Sequence, residues 1–195
     1  MSLVTAPIKS ITHPHLQAEI HYDQHPEAPE TSPFVITYAD TSRYTLGTTQ
    51  ISFGEFEDIA RGVRDGDLIG LPVWAYVHGG STIKAAYENP FGCPWDSGRS
   101  GWVFATKSQV RSYYGVKRIT KAVKERALKL ARSIVDEYSG YLNGECYGFI
   151  IRDTNTGEAV DSCWGYYDSS TVEQDAQSAL KQMEDITPMQ LELPI

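Results

Sequence analysis

Apolar residues in this chain recur with two periods, and the switch between them marks out its elements. The clearest helical stripe is Val123, Ala127, Leu130, Ala131, Ile134, Val135 and Tyr138. Spacings of three and four put these side chains on one face, so the stripe predicts a long amphipathic helix from Thr120 to about Tyr138. Gly140 and Gly144 mark its exit. Phe56, Ile59, Ala60 and Val63 repeat the spacing over a shorter stretch. Ser52 and Glu55 open it as a capping box and Gly66 closes it. Thr106 with Gln109 makes a second capping box, for a short helix ended by Gly115. Ser170 with Glu173 and Thr171 with Gln174 offer caps for a last helix reaching about Met183.

Elsewhere the pattern reads as strands. LPVWAYVH (71–78) is a compact apolar run of β formers, and Gly101–Ala105 is a second core strand. Glu145–Asp153 and Ala159–Tyr167 flank the turn TNTGE as a hairpin. Phe34–Ala39 and Arg43–Thr48 are two short strands around Asp40 and Ser42. Residues 79–100, rich in Gly and Pro, read as loop. Pro7, Pro14, Pro26, Pro29 and Pro33 puncture residues 1–33, which read as an extended arm with one short strand at Leu16–Tyr22. Residues 34–185 are expected to form a single domain, and 186–195 a loose tail. Strands, helix, strands, two helices, hairpin and helix do not alternate as βαβ units. The expectation is therefore an α+β fold: a mainly antiparallel sheet of about four to six strands, with the long helix and two to three shorter ones packed on it. Val73, Ala75, Val77, Val103, Phe149 and Ile151 should line one sheet beneath the 120–138 helix.

Composition adds limits. At 195 residues and 41% hydrophobic content, the chain has material for a core. Its three cysteines, Cys93, Cys146 and Cys163, are too few and scattered for a disulfide scaffold, and no CxxC pair is present. The first ten residues lack the apolar stretch of a signal peptide, and no apolar run approaches membrane-spanning length. A cytoplasmic location is expected. The net charge of −8 conceals a strong asymmetry: residues 107–132 hold nine Lys and Arg against one acid, Glu125, and are net +8.

That asymmetry supplies the first candidate site. Lys117, Arg118, Lys121, Lys124 and Lys129 sit on or just before the long helix, where grouped cations make a phosphate-binding footprint or a solvated face. A sequence pI near 5.1 opposes general nucleic-acid affinity. The loop Cys93-Pro94-Trp95-Asp96-Ser97-Gly98 is the second. With His78 it holds the residue types of a nucleophile and its base, or simply a capped turn with Trp95 in the core. G-x-S-x-G, H-E-x-x-H and P-loop motifs are absent, so no cofactor is expected. His78-Gly79-Gly80-Ser81-Thr82, near Lys84, is either an anion cradle or a plain turn. His13, His15, His21 and His25, with Asp23, crowd the arm as weak metal ligands or as solvated polar groups. Cys146 and Cys163 fall on opposite arms of the expected hairpin, as buried thiols or cross-strand neighbours.

LPVWAYVHGGS, FGCPWDSG, GWVFATK, the helix after YGVKRIT, CYGFIIRD and DSCWGYY together resemble a family of uncharacterised proteins from bacteriophages and other mobile elements. The likeness spans about residues 34–168 and is most specific at Cys93–Gly98 and Asp161–Gly165. Where that family has an aspartate before the histidine at the end of the apolar strand, this chain has Val77. The resemblance implies a phage or mobile-element origin and brings no known activity. Combined with the charge asymmetry, it leads to the expectation of an accessory protein that binds a host macromolecule, such as an inhibitor of host defence, with Trp95 and Trp164 as aromatic contacts. The alternatives are a small hydrolase or nucleotide-handling enzyme using His78, Cys93, Asp96 and Ser97, and a nucleic-acid-binding module using the basic 117–132 helix.

Overall fold

A computed structural model describes residues 6–190, with side chains through Met183. In chain order the strands and helices are β1 (Lys9–Thr12), β2 (Leu16–Tyr22), β3 (Val35–Ala39), β4 (Thr49–Ile51), α1 (Phe53–Asp65), β5 (Leu68–Val77) and β6 (Ser81–Ala85). There follow β7 (Ser97–Thr106), α2 (Lys107–Tyr114), α3 (Lys121–Leu142), β8 (Tyr147–Asp153), β9 (Ala159–Tyr166) and α4 (Ser169–Gln190). The fold is α+β, and its strands are mostly antiparallel. They form not one sheet but two, in the orders β1-β2-β8-β9 and β4-β3-β7-β5-β6. The chain accordingly divides into two compact units: Ala28–Gly144, and Met1–Glu27 with Glu145–Ile195.

In the 28–144 unit, β5 and β7 carry the apolar runs that the pattern identified. Leu71, Val73, Val103 and Ala105 are buried on one face. The stripe of α3 closes over it through Ala127, Ala131, Ile134, Val135 and Tyr138. Thr120 caps α3 by accepting a bond from the Val123 amide, and the helix runs on past Tyr138 through a buried Gly140 to Leu142. The Tyr138 hydroxyl donates to the Gly47 carbonyl at 3.0 Å. Ser139 Oγ accepts from the Ile83 amide at 3.0 Å, so α3 also covers donors on the open edge of β6. Both expected capping boxes form, at Ser52/Glu55 and Thr106/Gln109. Phe56 of α1 meets Trp102 edge to face, with ring centroids 5.9 Å apart.

Two expected features of this unit differ. The second short strand lies at Thr49–Ile51 rather than Arg43–Thr48, and it runs parallel to β3. The Thr48 amide bonds the Ile36 carbonyl at 2.7 Å, so pairing with β3 begins only after residues 43–47 have turned the corner. Within 79–100, β6 forms a hairpin with β5, and β7 begins at Ser97 rather than Gly101. Ser81–Ala85 is short and polar, but its alternation buries Ile83 and Ala85.

The other unit overturns the reading of residues 1–33 as an arm. Ala18 and Ile20 alternate into a core, and β2 pairs with β8 along its whole length, Leu16 opposite Asp153 and Tyr22 opposite Tyr147. The five prolines all fall outside the strands, so they bound the strands instead of breaking them. Phe149 and Ile151 therefore lie not under α3 but under α4, against Val172, Ala176 and Leu180. The cap of α4 is neither Ser170 nor Thr171 but Asp168, whose carboxylate accepts from the Thr171 amide at 2.7 Å. Of the tail expected at 186–195, residues 186–190 continue α4, and 191–195 lie outside the described residues.

Candidate functional site

The basic run is exposed along its length. Lys107 approaches Asp67 at 3.6 Å, and Lys121 approaches Glu125 at 4.0 Å. Arg132 donates to the Leu128 carbonyl one turn back in its own helix. Arg111, Lys117, Arg118, Lys124 and Lys129 are exposed and have no carboxylate within 4 Å among the described residues. The two units divide the charge unequally. Residues 28–144 carry 14 Lys and Arg against 12 Asp and Glu, while the other unit carries 3 against 13. The acidity that lowers the overall pI therefore belongs mostly to the unit without the basic run.

Beside this run lies a groove that the sequence reading did not identify. The end of α2 and the flank of α3 border an open, shallow groove of about 790 Å³ lined by Tyr113, Tyr114, Arg126, Lys129, Leu130 and Ser133. Arg126, Lys129 and Ser133 follow one another at spacings of three and four, so they share a flank of α3. Gly115, at φ 63°, stops α2 immediately after the tyrosine pair and turns the chain toward α3. The two tyrosine rings meet edge to face, 5.1 Å apart. The Arg126 guanidinium lies 4.9 Å from the centre of the Tyr114 ring. Burial raises the Tyr114 phenol above its ordinary pKa, with the Arg126 charge pulling the other way. Tyr113 is 52% exposed and has a face available. The signal that could have found the groove was the pair of adjacent tyrosines just ahead of the cations.

The second candidate does assemble, but not in the order that nucleophilic catalysis needs. Asp96 Oδ2 is 3.3 Å from His78 Nδ1 and accepts from Cys93 Sγ at 3.5 Å. The carboxylate is thus the shared partner of thiol and imidazole. A nucleophile and base need direct contact between the thiol and the imidazole. No hydrogen bond joins His78 to Cys93 or Ser97 among the described residues. Ser97 Oγ donates to the Cys93 carbonyl and accepts from Asn89 Nδ2 at 2.9 Å, stapling the turn closed. Trp95, one of the two readings of which placed it in the core, is 92% exposed. It borders a shallow cleft of about 320 Å³ that also includes Asp96, Ser97 and Arg99.

The remaining candidates are placed as follows. His78–Thr82 turns β5 into β6, with the His78 amide bonded to the Gly80 carbonyl at 3.2 Å. A strand follows where an anion cradle would need a helix N-terminus. Lys84 points out from β6 as an exposed residue. His13 and His15 flank the turn between β1 and β2. His21 is buried on β2, 3.5 Å from the Glu19 carboxylate. The His25 amide donates to Asp23. Among the described residues, no group of three His, Cys, Asp or Glu side chains could hold a metal ion. Cys146 is buried ahead of β8 and its thiol is raised by that burial, whereas Cys163 pairs with Phe149 and is exposed; the two are not cross-strand neighbours. Trp164 is 44% exposed, its indole lying over Gly148, where a Cβ would come within 2.2 Å of the ring.

No helix among the described residues is long and apolar enough to cross a membrane. No family model, curated protein or solved structure matches the chain.

Proposed function

We propose that this is a binding protein that engages a phosphate-bearing macromolecule of a host cell through the cationic surface of residues 107–132. The observation that carries this reading is the set of five exposed cations, Arg111, Lys117, Arg118, Lys124 and Lys129, with no carboxylate within 4 Å among the described residues. Cations grouped on adjoining elements, here α2, α3 and the connection between them, form a footprint for phosphate. The resemblance to phage and mobile-element proteins supports a host target, an inhibitor of a defence component being the kind of role that would fit it. The test is binding of full-length protein to heparin and to labelled nucleic acids, wild type against the triple reversal K121E/K124E/K129E. The reading requires a large loss in the variant at unchanged melting temperature. Equal binding by the two proteins overturns it.

A further inference from the structure

We infer that the groove between α2 and α3 is a base-stacking subsite, and that the ligand of the cationic surface is single-stranded nucleic acid. This rests on the cationic-face reading above and deepens it. Proteins that hold single strands without strict sequence preference join two features: a positive track for the phosphates, and aromatic faces on which unpaired bases stack. Both occur here on adjoining elements. Lys117 and Arg118 in the connection between α2 and α3, with Lys121 and Lys129 on α3, supply the track, while Lys124 lies round the helix from the groove.

The aromatic platform is the Tyr113–Tyr114 pair at its border. Tyr114 is half-buried and engaged by Arg126 on its ring, so it is fixed in place. Tyr113, held edge-on to it, keeps a solvent-facing surface that no other described ring contacts. Lys129 and Ser133 stand on the opposite wall, where an ammonium and a hydroxyl suit the phosphate and polar edges of a nucleotide seated on Tyr113. A duplex hides its base faces within the stack and would meet only the cations. The exposed tyrosine beside the cations therefore selects a strand with free bases.

The experiment uses full-length protein and three labelled probes of equal length: an oligothymidylate, an abasic strand and a duplex. Wild type should bind the oligothymidylate more tightly than either of the others. Tyr113→Ala should weaken oligothymidylate binding by about 5- to 150-fold, the range for losing one stacked base. It should leave abasic-strand binding and melting temperature unchanged. Tyr113→Phe, which keeps the ring, should bind like wild type. If wild type binds the abasic strand or the duplex as tightly as the oligothymidylate, or if Tyr113→Ala binds like wild type, the stacking subsite is overturned while the cationic face stands. If no probe binds, or if K121E/K124E/K129E binds every probe like wild type, the cationic-face reading fails and the subsite falls with it.

Discussion

At the scale of single residues, the structure separates side chains that hold turns from those that face outward. Ser97 illustrates the first kind, since both of its hydrogen bonds stay within the 89–97 loop. Ser97→Ala should cost about 1 kcal/mol in chemical denaturation, the net worth of such bonds, and leave nucleic-acid binding unchanged. A loss of binding without loss of stability would place Ser97 in a working site. Asp168 is a second case. Bonds from the Ser170 and Thr171 side chains and the Thr171 amide hold its carboxyl below the ordinary value of 3.8. A carboxylate with a lowered folded-state pKa gives its stabilisation in full above the unfolded value and loses it as pH falls through the folded one. The contribution of this cap is therefore complete above about pH 4 and fades in more acid solution. Asp168→Asn should reduce stability at neutral pH by about 1 kcal/mol or less, as an exchange between good capping residues, and should flatten the acid limb below pH 4 followed by circular dichroism. An unchanged acid limb would show that the cap does not contribute there.

At the scale of elements, α3 and α4 do the same work for different sheets. Ile134 is buried between α3 and the β5–β7 sheet, and Leu180 between α4 and the β2–β8 sheet. Truncating either to Ala should cost about 2–5 kcal/mol, the usual range for a large buried aliphatic side chain. The two effects should fall on different elements. Ile134→Ala should lower hydrogen-exchange protection chiefly in β5, β6 and β7, and Leu180→Ala chiefly in β2 and β8. Uniform loss of protection in both variants would mean that the two cores unfold as one.

At the scale of the whole molecule, the governing feature is uneven charge. The triple reversal K121E/K124E/K129E takes the net charge from −8 to −14 by three changes of two units each. The positions are exposed, so stability should move by less than about 0.5 kcal/mol per site. If three phosphate contacts are lost, the slope of log affinity against log salt should become shallower by about 2, at about 0.7 per contact for single strands. A slope identical to that of wild type would mean that these lysines touch no phosphate.

Local chemistry is what the sequence determined by itself. Helix α3 was legible because a seven-residue stripe with a Thr cap has one helical solution, and the boxes at Ser52/Glu55 and Thr106/Gln109 close on themselves within four residues. The cationic run was legible for the same reason, since charge needs no partner to be counted. Pairing between distant segments was not. Nothing within Leu16–Tyr22 says that it lies beside Tyr147–Asp153, more than a hundred residues away, and without that pairing the prolines made residues 1–33 look like an arm. Only the tertiary structure could show two sheets, because Phe149 and Val73 carry the same apolar signal and differ only in which helix covers them. It also decided the candidate sites. Cys93, Asp96 and His78 meet in an order that spacing cannot express. Tyr113 and Tyr114 became a groove only once α3 folded back beside α2, brought Arg126 over the Tyr114 ring and set Lys129 in the lining. A contact between segments far apart in sequence depends on the register of every element between them, and no local pattern records that register.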